Sequence, residues 1–458
     1  MEEYGPVGSN YVPLARDWHR LSHGQPSLRR SLHCLIGYRR DSTPVFVILG
    51  GWDPSIGRCN DVWESIDLGA SWHCVCASAP WSARSSFLAL GATDGSCLFV
   101  IGGDDGDYRS DVWFSKDFGK SWLCVSEKAG WQGRSELSGV MSQSGGLLIF
   151  GGRTVGEGDG FLGDIWRSLD GGLTWEVLLE VAPFNARVGA GMGIGYFGGF
   201  LTRKLRNRKR PRHRSPSPSH PPPGLKEVVV LVGGSAGRKC FGDVWISRNF
   251  GESWTKGHPL PSSSPSSDDE RPLPSGFGSA ADLNDLEISS FILNEEVGPF
   301  TLFARHKHVD LEISSQPVTA FAVSGAQILY DDISREFILL GGCVEQGRGN
   351  REVFGSRDGG RTWKFLPQLP SLSVNIRGAV AYGNLLIFGG EDVWGPAVSE
   401  SWLSKGQLEP VKRDAFRVLL FLKRIKLSME ICSRLLAFIY SVDFIWPNES
   451  GRFPAIKN

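Results

Sequence analysis

The 458-residue chain has no net charge, with 49 lysines and arginines against 49 aspartates and glutamates. A balanced chain has no global field to draw nucleic acid or an anionic membrane, so any such attraction has to be local. Uninterrupted apolar runs of bilayer length are also missing. The most apolar stretch, residues 416–440, is broken by Lys423, Arg424, Lys426, Glu430 and Arg434, whereas a span needs about 20 residues with few charges. The nine cysteines are odd in number and show no CxxC spacing, which argues against a disulfide framework or a zinc cluster and for reduced strand residues. The first residues, Met1-Glu2-Glu3-Tyr4-Gly5, lack the charged and apolar segments of a secretory leader. Together these absences predict a soluble cytoplasmic chain that is not an integral membrane protein.

What is plentiful is glycine, at 58, and tryptophan, at 16. They fall into a repeat. Asp-Val-Trp or a close variant stands at Asp61-Val62-Trp63, Asp111-Val112-Trp113, Asp164-Ile165-Trp166, Asp243-Val244-Trp245 and Glu352-Val353-Phe354, and nine positions after each third residue comes Trp72, Trp122, Trp175, Trp254 or Trp363. Between the two aromatics lies SxDxGx[ST]W, with Asp67, Asp117, Asp170, Asn249 and Asp358 at its acidic place. This box reads as a hairpin turn. The Asp or Asn oxygen accepts nearby backbone N–H groups, Gly supplies a positive φ, and the hydroxyls bond locally.

Before each box an apolar run ends in Gly-Gly, closing at Gly51, Gly103, Gly152, Gly234, Gly342 and Gly390. Such runs, rich in Val, Ile, Leu and Phe, are buried strands. Earlier still comes an arginine, twelve residues after the preceding Trp at Arg30, Arg84, Arg134 and Arg187, with Arg377 at nearly the same distance from Trp363. Three of them follow an aromatic by three residues: Trp81, Trp131 and Phe184. One unit is thus four strands in roughly fifty residues, the size of a propeller blade.

The Gly-Gly strand followed by a Trp-bearing strand resembles the kelch repeat. The SxDxGx[ST]W turn resembles the Asp-box, or BNR repeat, of sialidases. The resemblance covers most of residues 17–405 and implies an all-β, six-bladed β-propeller of four-stranded antiparallel blades. The sixth unit, around Gly389-Gly390 and Trp402, has no intact box. Trp18 precedes Arg30 by the same twelve-residue step, so residues 17–22 are expected to be the missing fourth strand, closing the last blade.

Two insertions interrupt the spacing. Residues 201–224, basic and then Ser/Pro-rich, are expected to be a disordered loop or retained-intron sequence, with a nuclear-localisation (203–214) or RNA-binding patch as the alternative. No aromatics or folded RNA-binding motif accompany the charge, so no specific nucleic-acid binding is expected. Residues 257–317 are low in complexity and long enough for a seventh blade, yet contain no Gly-Gly, Trp or box; six blades are preferred to seven. Residues 411–458 form a tail outside the repeats, either a helix packed on the propeller, a translation artefact or a basic amphipathic helix.

Both resembled families include enzymes. The resemblance to sialidases implies an arginine cluster, an acid and a Tyr–Glu pair, but no Arg-Ile-Pro stretch occurs and Tyr38, Tyr108, Tyr196, Tyr330 and Tyr382 have no suggestive Glu beside them. The histidines do not repeat at metal spacing, and neither a metal nor a cofactor is implied. The resemblance to kelch propellers instead places Arg30, Arg84, Arg134, Arg187 and Arg377, with Trp81, Trp131 and Phe184, around one mouth of the central channel. Such a ring would suit an acidic protein or peptide partner. The alternative is that each arginine pairs locally with an acid and holds the blades in register. The five box residues belong to outer turns of separate blades and are expected to be structural. The expected function is therefore a non-catalytic binding scaffold, with a sialidase-like glycan-binding or glycan-hydrolysing propeller as the alternative.

Overall fold

Each apolar run that ends in Gly-Gly becomes the second strand of a four-stranded antiparallel sheet. Its two faces pack on different neighbours. In the first blade Val45, Val47 and Leu49 share a core with Leu98 and Val100 of the second, whereas Phe46 and Ile48 pack with Ala379, Leu386 and Phe388 of the sixth. Period-2 alternation sends successive side chains to opposite faces, and because both faces are covered the sequence reads as an unbroken apolar run. The computed structural model describes residues 11–12, 14–21, 28–41, 43–155, 160–198, 225–261, 303–306, 309–312, 321–344, 349–370, 373–392 and 400–408.

Six such sheets form the ring. The first is Cys34–Arg40, Thr43–Asp53, Gly57–Ser65 and His73–Cys76, and the second is Leu88–Gly91, Leu98–Asp104, Tyr108–Ser115 and Leu123–Ser126. The third to fifth begin at Ser138–Met141, Gly191–Gly198 and Ser324–Asp331. The sixth joins Arg377–Ala381, Asn384–Phe388 and Ser401–Lys405 to His19–Arg20 from the other end of the chain. The innermost strands touch in cyclic order, sixth back to first. Small residues let them converge: a Cβ on Gly37 would stand 2.4 Å from the Val380 carbonyl oxygen. Among the described residues there is no helix, and none long and apolar enough to cross a membrane.

The ring closes where the sequence placed it, with Arg20 opposite Trp402 and His19 opposite Leu403. The seam goes further than one strand. In intact boxes the first Ser hydroxyl accepts the glycine N–H, as Ser115 does from Gly119 at 2.9 Å. In the sixth blade Ser404 accepts instead from Ala15 N–H at 2.9 Å, and Ala15, three residues before Trp18, holds the glycine's left-handed φ of 59°. The sixth turn is therefore split between the two ends of the chain, with Leu14 and Ala15 fully buried. Tyr11–Val12 pairs with Gln407–Leu408 beside it.

The 201–224 insertion falls between the first two strands of blade four, Gly191–Gly198 and Leu225–Val232, and itself lies outside the described residues. So do residues 411–458 and most of 257–317, from which residues 257–261, Phe303–His306 and Val309–Glu312 are described, the last two paired as a hairpin.

Candidate functional site

The chain passes from the outer strand of one blade to the inner strand of the next along one face of the ring, and the arginines lie on these crossovers. The main chain of Arg84 belongs to blade one: its N–H donates to Cys59 O at 3.0 Å and its carbonyl accepts from Gly51 N–H at 3.0 Å. Its guanidinium belongs to blade two. Nη1 donates to Gly102 O at 2.9 Å and Asp111 Oδ1 at 2.7 Å, and Nη2 to Asp111 Oδ2 at 2.8 Å. Trp113 Nε1 donates to the same carboxylate at 2.7 Å.

Arg134 repeats this with Gly151 O, Asp164 and Trp166, and Arg187 with Gly233 O, Asp243 and Trp245. Arg30 bonds Asp53 at 2.7 Å and Asp61 at 2.6 Å, and Asp61 accepts from Trp63. These four arginines are at most 2% exposed. Burial would raise the carboxyl pKa values of Asp164 and Asp243, but the bidentate arginine outweighs it and holds both below the usual range. Each aromatic three residues earlier meets the outer tryptophan of the blade it leads to edge-on, Trp81 on Trp122, Trp131 on Trp175 and Phe184 on Trp254, at 5.4–5.9 Å. The acid of Asp-Val-Trp and its arginine, 27 residues apart in blade two, thus act as one buried clamp between blades.

Arg377 is placed differently. The residues after the four clamping arginines, Ser31, Ser85, Ser135 and Val188, bridge to the residue following Gly-Gly, and in the sixth blade that place is held by Val374 opposite Glu391. Ser373 therefore stands at the clamp position, and Arg377 opens the innermost strand. In blade five Val323, Glu352 and Phe354 replace arginine, aspartate and indole, and Asn350 Nδ2 donates to Gly341 O at 3.0 Å where a guanidinium would.

One residue further along each crossover the backbone turns left-handed: Leu32, Ser86, Glu136, Gly189, Gly325 and Asn375 have φ of 50–72°. They link head to tail around the channel, Ser86 N–H to Leu32 O, Glu136 to Ser86, Gly189 to Glu136 and Gly325 to Gly189, at 2.7–3.2 Å. This collar is one mouth of the channel. Glu136 and Arg377, from blades three and six on opposite sides, face each other there. Glu136 is exposed and Arg377 half-buried. Lost hydration pushes the Glu136 carboxyl up against the pull of Arg153 and Arg377, and pushes the Arg377 guanidinium down against Cys34 and Glu136. Neither makes an ion pair among the described residues; Arg377 donates to His33 O and Ile376 O at 3.2 and 3.3 Å. The loops between second and third strands rise on this face with Trp52, Arg153 and Val155 exposed.

The box turns occupy the opposite face. Asp117 accepts from Ser115 Oγ, Ser121 N–H and Ser121 Oγ at 2.5–2.9 Å, and Asp67, Asp170 and Asp358 do the same in their turns. Asn249 makes the equivalent bonds with its carboxamide. Burial opposes ionisation of Asp67, Asp117 and Asp358, but the hydroxyl and N–H donors prevail and hold them low; in Asp170 the Thr174 donors dominate outright.

Two Tyr–Glu pairs form that sequence spacing did not reveal, Tyr38 with Glu64 at 3.4 Å and Tyr196 with Glu227 at 3.1 Å. Burial raises both phenol pKa values, and Tyr38, only 1% exposed, sits under Phe118 with Arg40 bonded to Glu64. No three His, Cys, Asp or Glu side chains gather as a metal site among the described residues. No protein-family model matches the chain, and no curated protein resembles it closely enough in sequence to count as a relative.

Proposed function

We propose that the ring is a non-catalytic scaffold that binds a protein or peptide through the collared mouth, as its likeness to kelch propellers implies. One observation carries the reading: Glu136 and Arg377 stand across the mouth, enclosed yet accessible, without an ion pair among the described residues. Partly desolvated charges held apart in this way are complementary to a partner that brings its own acid and donor. Arg153 adds a second cation for an acidic side chain. Arg30, Arg84, Arg134 and Arg187, with Trp81, Trp131 and Phe184, form the rigid wall beneath and act by keeping this geometry fixed.

The test compares affinity purification from the native source with the full chain, Arg153→Glu and Glu136→Lys. Both sites are exposed, so melting should not change. A partner retained by the full chain and lost from both variants supports the mouth. The same partners on all three, or turnover of a fluorogenic sialoside by the purified chain, would count against the scaffold.

A further inference from the structure

Directly after the left-handed residue of each crossover come His33, Phe87, Leu137, Ala190, Ala326 and Ile376. All six are buried, and only His33 is polar. It plugs the junction between blades six and one. A Cβ on Gly51 of blade one would stand 2.6 Å from the His33 Cβ, and one on Gly389 of blade six 2.9 Å from its Cε1, in the way that Phe87 fits between Gly103 and Gly50 one blade on. Phe388 of blade six meets the imidazole edge-on, with ring centroids 5.7 Å apart.

His33 is fully buried, and neither of its ring nitrogens has a hydrogen-bond partner among the described residues. A neutral imidazole in such a place leaves one donor and one acceptor unmet, whereas an imidazolium would bury two unmet donors and a charge. No compensation is at hand. Phe388, Gly389 and Gly51 carry no titratable group. The charged groups that act on the ring, Arg377 from the first strand of blade six and Arg30 from its own crossover, are both cations, and Asp53 and Asp61 are already bonded to Arg30. Cys34, next in the chain, is a neutral thiol whose Sγ donates to Phe87 O at 3.2 Å, with burial pushing its pKa up to about 11. Burial first, then Arg377 and Arg30, hold the imidazole well below its ordinary pKa.

We propose that His33 is an acid-sensitive latch: a proton taken up by its imidazole parts the C-terminal strands of blade six from residues 28–41 and opens the ring at this junction. The place suits such a device. Strands Arg377–Ala381, Asn384–Phe388 and Ser401–Lys405 are held to the start of the chain by noncovalent contacts, among them the pairing of Arg20 with Trp402, the Ala15 bond to Ser404 and Gly390 N–H to Arg30 O at 3.0 Å. Opening also frees Arg377, whose Nε donates to His33 O at 3.2 Å, so the collared mouth loosens with the seam. The closed ring keeps the imidazole neutral, and an opened one returns its pKa to about 6.5, so the closed form binds fewer protons. Closure is at full strength above that pH and weakens by up to about tenfold per pH unit beneath it.

Hydrogen exchange of the full chain, read by mass spectrometry at about pH 7 and about pH 5 and corrected for the intrinsic exchange rate, tests the latch. In the parent chain, protection over Asn384–Phe388 and Cys34–Arg40 should fall about 25-fold between the two pH values. Leu147–Phe150 of blade three should keep its protection. His33→Phe, which installs the residue of blade two, should melt no lower than the parent at about pH 7 and should abolish the fall. His33→Leu, with the residue of blade three, should do the same and carries the test if the phenyl ring does not fit. No fall in the parent, a fall in the folded variants equal to the parent's, or an equal loss across blade three overturns the proposal.

Discussion

The six blade junctions are of two kinds. Those leading into blades one to four are clamped by a buried arginine that takes its backbone bonds from one blade and gives its guanidinium to the next. Those into blades five and six have Val323 and Ser373 at that place. In blade five the aspartate and the indole are replaced as well, by Glu352 and Phe354, and Asn350 covers the carbonyl that would otherwise be orphaned. A buried guanidinium is tolerable only with its partner, so where the aspartate is missing the arginine is missing too; the acid place holds Glu352 in blade five and, in blade six, Glu400, which Arg20 bonds instead. The unclamped junction into blade five is also where the chain carries its longest insertion.

Several experiments would break or sharpen this contrast. The largest effect is expected at the seam of blade six, which has no clamp and depends on the split turn. Deleting residues 1–20 removes fully buried Leu14 and Ala15 together with Trp18 of the same core. Large core truncations cost about 3–5 kcal/mol each, so urea unfolding should show a loss above that for one site; an unchanged midpoint would mean that the seam holds without this strand. Next comes Arg134→Met, which strands the Asp164 carboxylate and should cost about 3–5 kcal/mol. Val323→Met at an unclamped junction strands no charge and only adds volume at a fully buried site, so it should cost less, about 1–3 kcal/mol. Equal losses at the two positions would erase the distinction.

A smaller effect is expected in acid. Asp164 and Asp243, with the box residues Asp67, Asp117, Asp170 and Asp358, have folded-state pKa values below the ordinary range. The unfolded chain, with aspartate near about 3.9, binds more protons below that pH than the folded chain. Their contribution is complete above about pH 4 and is lost as pH falls through the folded values. Melting temperature should therefore drop steeply below about pH 4, and Arg134→Met should flatten that limb while Val323→Met leaves it unchanged.

Much of this architecture was legible in the chain because it rests on local signals. Gly-Gly ends a buried strand, the box makes a turn within eight residues, and the Trp18–Arg30 step exposes the displaced strand. The clamps were harder to read, since Arg84 and Asp111 meet only when two strands have been laid side by side. A signal for them was nevertheless present: the unit without arginine is also the unit whose Asp-Val-Trp reads Glu-Val-Phe. Arg377 shows where spacing misleads. The crossover into blade six is shorter, its innermost strand opening 14 residues after Trp363 where that of blade two opens 16 after Trp72, so strand register, not distance from Trp363, decides what occupies the clamp position. The collar was invisible because four of its six left-handed residues are not glycine; ring closure imposes their φ, and no residue type announces it.

The account depends most on the clamp acting as a unit between blades, and a double-mutant cycle on Arg134 and Asp164 tests that directly. Urea unfolding of Arg134→Met, Asp164→Asn and the double variant should give a coupling of about 1–3 kcal/mol, with the double variant more stable than the sum of the single losses implies. Losses that simply add, within about 0.5 kcal/mol, would contradict it.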